Sequence, residues 1–155
     1  MGNAVLLDSG KPDSERGRFD ILVAAPLCQL SYQQGELKGM NLPIDIAIDQ
    51  DPFAALESLY QYSRSNPEES STRISDDLPF NGGLIGHFNY DLGRALENLP
   101  DQAINDTLLP DMHIGLYSWA IIIDHETHTA WLGGSHLISE SALDKIAEKI
   151  SEATP

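Results

Sequence analysis

An α+β fold built mainly on antiparallel sheet, with two or three helices, is what this sequence predicts, and three observations carry it. Strand-like segments outnumber helical ones. The helical segments do not alternate with strands in the regular way that a parallel βαβ sheet needs. Two pairs of strand-like segments are joined by turns short enough for hairpins. At 155 residues a single domain, 1–155, is expected, and 41% hydrophobic with 21% charged residues is a globular balance that excludes wholesale disorder.

Taken in order, Ala4 to Leu7 is an apolar strand within three residues of the first methionine, and Ser9 to Gly17 is a polar connection. The abrupt start, and a final helix running into Ala153-Thr154-Pro155, suggest a piece of a longer chain. Phe19 through Val23 is the second strand. Leu27 to Tyr32 and the segment from Glu36 form a hairpin around Gln33-Gln34-Gly35, where Gly35 supplies a positive φ. Ile44, Ile46 and Ile48 alternate with Asp45, Ala47 and Asp49, the period of a half-buried strand. Asp51 is a good N-cap followed by Pro52 at a tolerated first position. The helix it opens places Phe53, Leu56, Leu59 and Tyr60 on one stripe and ends at Asn66-Pro67. Residues 66–77 read as a polar, mostly acidic loop.

Four of the chain's 12 glycines, Gly82, Gly83, Gly86 and Gly93, then fall within a dozen residues. Read as a strand, Gly82, Leu84, Gly86, Phe88 and Tyr90 share one face and Gly83, Ile85, His87 and Asn89 the other. Glycine inside a strand marks a bend or a closely crossing backbone. Asp91 is placed to cap a short helix over Leu92 to Glu97. Met112 to Asp124 is one long β-prone run, which His125-Glu126-Thr127-His128 turns back into Thr129 to Leu132. Ser141-x-x-Asp144 has the spacing of a capping box for a last helix, with Leu143, Ile146, Ala147 and Ile150 on its buried face.

A net charge of −15 argues against nucleic acid and anionic membrane surfaces as partners. The single cysteine, Cys28, reads as a small buried hydrophobe in a reduced, cytoplasmic protein. No basic n-region opens the chain, Leu6 stands where a myristoylation signal has Ser or Thr, and the apolar run Trp119 to Ile123 is far short of a span. Gly82-Gly83-Leu84-Ile85-Gly86 lacks the spacing of a phosphate-binding loop, and no GxSxG elbow is present. His125 and His128 form HxxH across a turn instead of along a helix, and read as exposed turn residues. The residues taken alone therefore yield no catalytic or metal site.

Ser9 to Asp20 and Gly82 to Arg94, the two most constrained segments, carry a family resemblance that other segments extend. Leu6-Leu7-Asp8-Ser9-Gly10, Arg18-Phe19-Asp20-Ile21-Leu22-Val23-Ala24-Ala25-Pro26, Leu78-Pro79-Phe80-x-Gly82-Gly83-x-x-Gly86-x-Phe88-x-Tyr90-Asp91-Leu92-Gly93-Arg94, Leu109-Pro110-Asp111-Met112 and Trp119-Ala120-x-x-x-Asp124-His125 occur in one order along the chain. Together they resemble the N-terminal region of the aminodeoxychorismate synthase component I family, with anthranilate synthase component I as the related alternative.

The resemblance implies the N-terminal part of a two-lobed, sheet-rich body. It also implies a parent transferase that adds ammonia, delivered by a glutamine amidotransferase subunit (component II), to chorismate for p-aminobenzoate and folate. The catalytic residues and the carboxylates for Mg²⁺ belong to a chorismate-binding region outside this chain, so the polypeptide alone is expected to be inactive and to hold no cofactor. It further implies a tryptophan-binding role for Ser9, Arg18, Phe19 and Asp20, although Arg16-Gly17 stands where the family has a Tyr-Ser type pair. Gly82, Gly83, Gly86, Tyr90, Asp91, Gly93 and Arg94 form a structural motif: a glycine strand under a crossing chain, a helix started by Asp91, and Arg94 available to a carboxylate. A stand-alone amino-acid-binding or partner-docking module is the competing reading, and it differs in lacking the sizeable apolar patch that a framework domain must expose.

Overall fold

The structure, a computed structural model, describes residues 3–11, 17–43, 46, 51–65, 78–97 and 109–152. Among these residues eight strands make two four-stranded antiparallel sheets. They are β1 (Val5–Leu7), β2 (Phe19–Val23), β3 (Cys28–Gln33), β4 (Glu36–Met40), β5 (Gly83–Phe88), β6 (Met112–Tyr117), β7 (Trp119–Asp124) and β8 (Thr129–Gly134). One sheet has the order β1-β2-β7-β8, the other β4-β3-β6-β5. Helices α1 (Pro52–Arg64) and α2 (Glu140–Glu152) and a 3-10 segment, Tyr90–Ala95, complete the α+β fold.

The β3–β4 hairpin turns on Gln34 and Gly35, whose φ values of 51° and 85° are the left-handed pair that matches the twist of the flanking strands. Gln34 is held there by an N–H donated to Asp111 Oδ2 at 3.0 Å. Asp51 caps α1 as expected, accepting from the N–H groups of Phe53 and Ala54 at 2.9 and 3.4 Å. Ala55 and Leu59 bury the helix against β3 and β6 through Leu30, Met112 and Leu116. Phe53 and Leu56 pack at the margin of this cluster, while Tyr60 of the expected stripe is exposed.

Residues 112–124 do not form one strand. The backbone breaks at buried Ser118, leaving β6 in one sheet and β7 in the other. Ser118 offers its carbonyl to the N–H of Ser135, just beyond β8, at 2.8 Å. Continuous β propensity specifies extended backbone but not which sheet it joins, so the switch is set by tertiary pairing. A core of Val23, Ile85, Tyr117, Ala120 and Ile122 welds the sheets at this seam. A third cluster, Ala24, Trp119 and Leu143, seats α2.

Other expectations shift by a turn. The carbonyl of Ser139, not Ser141, accepts the first N–H groups of α2, from Ala142 and Leu143, so Ser141 lies inside the first turn. Leu143 is buried and Ile146 packs beside it, whereas Ala147 and Ile150 are exposed. Asp91 does not cap the short helix: the 3-10 segment begins at Tyr90 after Asn89, with no side-chain cap. Of the alternating isoleucines, Ile46 is buried in the α1 cluster. Ile44 and Ile48 lie outside the described residues, as do the 66–77 loop and the Asn66-Pro67 helix end.

Candidate functional site

Pairing of β2 with β7 sets Phe19 opposite Asp124 and Asp20 opposite Ile123, and this register gathers the polar residues named from sequence. At the end of β7, Asp124 accepts from the N–H groups of Glu126 and Thr127 at 2.9 and 3.4 Å, shaping the β7–β8 turn as an Asx motif. Both its oxygens also receive Arg18, from Nε at 3.2 Å and from a terminal nitrogen at 2.9 Å. The bidentate pair is strong because fork and carboxylate match in plane and charge. Arg18 also meets Glu126 Oε2 at 3.1 Å and lies 4.6 Å over the Phe19 ring. The Arg18 guanidinium holds the Asp124 carboxyl well below the usual carboxylate range, against the opposing effect of burial.

Asp20 faces the other way and closes a second link. Its Oδ1 accepts from the Ser9 N–H at 2.8 Å and the Ser9 hydroxyl at 2.9 Å, and its Oδ2 meets His125 Nε2 at 2.8 Å. The Ser9 N–H, then His125 and the Ser9 hydroxyl, lower the Asp20 pKa. Gly17 is required beside them, since a Cβ there would stand 2.3 Å from the Ser9 carbonyl oxygen. The structure thus brings Ser9, Arg18, Phe19 and Asp20 together.

Three further members, Asp124, His125 and Glu126, have no site role in the sequence reading, although Asp124-His125 stands among the segments of the resemblance. His125 is not the exposed turn histidine expected from HxxH; it is half-buried on Asp20 and donates its backbone N–H to the Arg18 carbonyl at 2.9 Å. The signal that could have found them is the Asp124-x-Glu126-Thr127 turn at a strand end, once β2 is paired with β7. Serine, aspartate and histidine adjoin here, but Asp20 stands between the other two and the Ser9 proton is directed at a carboxylate. A serine nucleophile needs its proton on a base such as imidazole, so this arrangement is a clamp, not a nucleophile.

In the glycine segment the close approaches are real but differently placed. A Cβ on Gly86 would lie 1.9 Å from the His113 carbonyl oxygen, so the tight neighbour is its own paired strand β6 and not a crossing chain. The crossing occurs at Gly82 (φ +123°), where a Cβ would meet the Tyr117 carbonyl oxygen at 2.9 Å beside the sheet switch. Gly83 has φ +143° and faces the Phe80 ring. Tyr90 stands out in solvent, and the Gly93 carbonyl accepts from Leu96 and Glu97 at 3.1 and 3.0 Å. Arg94 reaches Asp91 itself, Nε to Oδ1 at 3.0 Å.

Beside β5 runs an open apolar groove of about 620 Å³ between α1, β5 and the end of β1, with walls from Leu7, Phe53, Leu56, Tyr60, Leu84 and Phe88. Leu7, Tyr60 and Phe88 are each more than 40% exposed, enough to make a continuous patch. Among the described residues no group of three or more His, Cys, Asp or Glu gathers as metal ligands, and no helix is long and apolar enough to cross a membrane.

No family model matches the sequence. Aminodeoxychorismate synthase component 1 of Escherichia coli K12 is 40% identical over 129 residues, which cover 83% of this chain and 27% of that protein. Anthranilate synthase component 1 of Mycobacterium tuberculosis H37Rv is 29% identical over 128 residues, covering 82% and 24%. The crystal structure of anthranilate synthase component I from Streptococcus pneumoniae superposes with a TM-score of 0.65 at 25% identity, over 97% of this chain and 36% of that one. The chain spans about a quarter of the length of the curated relatives it matches. Strand content, motif order and superposition converge, and the chain belongs with the component 1 family of aminodeoxychorismate and anthranilate synthases, as a partial length of it.

Proposed function

We propose that this chain is the N-terminal framework domain of an aminodeoxychorismate synthase component I. In this reading the full-length parent takes ammonia from a glutamine amidotransferase subunit and aminates chorismate to 4-amino-4-deoxychorismate in the cytoplasm. The observation that carries it is the contrast of 40% identity with an aminodeoxychorismate synthase against 29% with an anthranilate synthase over nearly equal lengths. Two features support a framework role over an independent module. The polar groups of the Ser9–Asp20 clamp are spent on one another. The groove beside β5 exposes apolar walls that the remaining three quarters of a component I polypeptide would cover. Mg²⁺ and the reacting groups then belong to that remainder.

Within the same reading, the neighbourhood of Ser9, Arg18, Phe19 and Asp20 is the tryptophan-binding wall. There the ammonium and carboxylate of an amino acid would displace the Ser9–Asp20 contacts, and Phe19 offers an apolar surface. Calorimetric titration with tryptophan checks this, and no heat at millimolar ligand removes it.

The main test is reconstitution. The chain with chorismate and ammonium should give no product. Mixed with the part of the Escherichia coli relative that lies outside the match, it should give 4-amino-4-deoxychorismate. Product from the chain alone refutes the framework role, and a mixture no more active than the Escherichia coli part by itself refutes the assignment to this branch.

A further inference from the structure

Two histidines lie outside everything assigned above. His87 on β5 and His113 on β6 are directly opposed in antiparallel register, with ring centroids 6.1 Å apart and planes inclined by 29°. Opposed residues project from the same face of a sheet, so the two imidazoles stand side by side. Gln29 of β3 shares that face, its side-chain amide 3.5 Å from His113 Nε2. With Asn3 and Tyr117 they line a cavity of about 350 Å³, open to solvent and separate from the clamp around Asp20.

The hydrogen bonds fix what these rings offer. His87 Nε2 lies 3.3 Å from the carbonyl oxygen of Pro110. A carbonyl only accepts, so the ring proton is on Nε2 and the Nδ1 lone pair is open. Metal-binding histidines are held this way, one ring nitrogen donating to a carbonyl while the other ligates. Gln29 is placed to serve His113 alike, since a half-turn of its amide exchanges oxygen for nitrogen without changing its shape. Two imidazole nitrogens each about 2.0–2.1 Å from one ion put the ring centroids roughly 5–6 Å apart, so the 6.1 Å seen here closes onto an ion with a small inward shift of the side chains. The surrounding charge of −15 draws cations toward the surface.

We propose that His87 and His113 form a two-histidine site for a divalent transition-metal ion, Zn²⁺ or Cu²⁺, completed by water and tying β5 to β6. Imidazole selects such ions over Mg²⁺ and Ca²⁺, which prefer oxygen. The site stands apart from chorismate chemistry and does not depend on the proposed function.

The test is calorimetric titration of Zn²⁺ into the full chain, with Mg²⁺ as comparison, for wild type, H87Q, H113Q and H128Q. One Zn²⁺ should bind per chain, with Kd raised roughly tenfold or more in H87Q and in H113Q. H128Q, at the exposed turn, should leave Kd unchanged. Zn²⁺ should raise the Tm of wild type but not of H87Q. Because His87 is exposed, the metal-free Tm of H87Q shows that the variant folds. Absence of Zn²⁺ binding, equal affinity in H87Q, equal loss in H128Q, or displacement of Zn²⁺ by equimolar Mg²⁺ each overturns the site.

Discussion

Asp124 and Asp20 hold three distant segments through two carboxyl groups, and their ionisation ties that anchorage to pH. Both carboxyls have folded-state pKa values below their ordinary 3.8. A carboxyl depressed in the folded state stabilises it above the unfolded pKa and loses that contribution as pH falls toward the folded value. Asp124→Asn keeps the shape but removes the charge that Arg18 grips. The urea midpoint of this variant should lie below wild type at pH 6, and the gap should narrow between about pH 4 and pH 2. Parallel curves across that window would show that Asp124 contributes no ionisation-linked stability. Ser9, Arg18, Phe19 and Asp20 were readable from sequence because they lie close along the chain in a motif. Asp124 and His125 were legible as a family segment but not as partners of this cluster, because no local pattern encodes the β2–β7 register that brings them across more than 100 residues.

Strand β5 owes its position to the absence of a side chain at Gly86. Any Cβ there collides with the His113 carbonyl, a backbone atom fixed by pairing on both sides of β6. Gly86→Val should push β5 from β6 and cost about 1–3 kcal/mol, as overpacking does. At this chain length each kcal/mol lowers Tm by about 2–4 °C, so calorimetry should register a drop of several degrees. An unchanged Tm would mean that the strand relaxes freely and that the glycine is not constrained. Elements were legible wherever local chemistry decides them, as in the Gln34-Gly35 turn and the Asp51 cap. The break at Ser118 was not, since Tyr117, Ser118 and Trp119 are all compatible with one extended run. The pairing of β6 with β3 and β5 and of β7 with β2 and β8 sets the change of sheet there, and the Ser135 N–H takes the Ser118 carbonyl at the break.

Two sheets, whose outer strands each pair on one side among the described residues, meet along a small core that includes Val23, Ile85, Tyr117, Ala120 and Ile122, and beside that seam the groove leaves Leu7, Tyr60 and Phe88 in solvent. Exposed apolar area of this kind favours binding by roughly 25 cal/mol per Å² once covered. The proposed occupant is the remainder of a component I polypeptide. In isolation the chain should therefore bind a hydrophobic fluorescent dye and associate with itself as concentration rises. The double variant L7D/F88D places two charges on the groove without touching the buried cores, so its Tm should stay near that of wild type. Dye fluorescence and self-association should both fall. Capture of the complementary segment of the Escherichia coli relative should weaken in parallel, because an aspartate buried without a partner opposes docking. Equal capture by wild type and variant, measured at matched concentration, would place the contact on another face and leave the β5 groove outside the assembly.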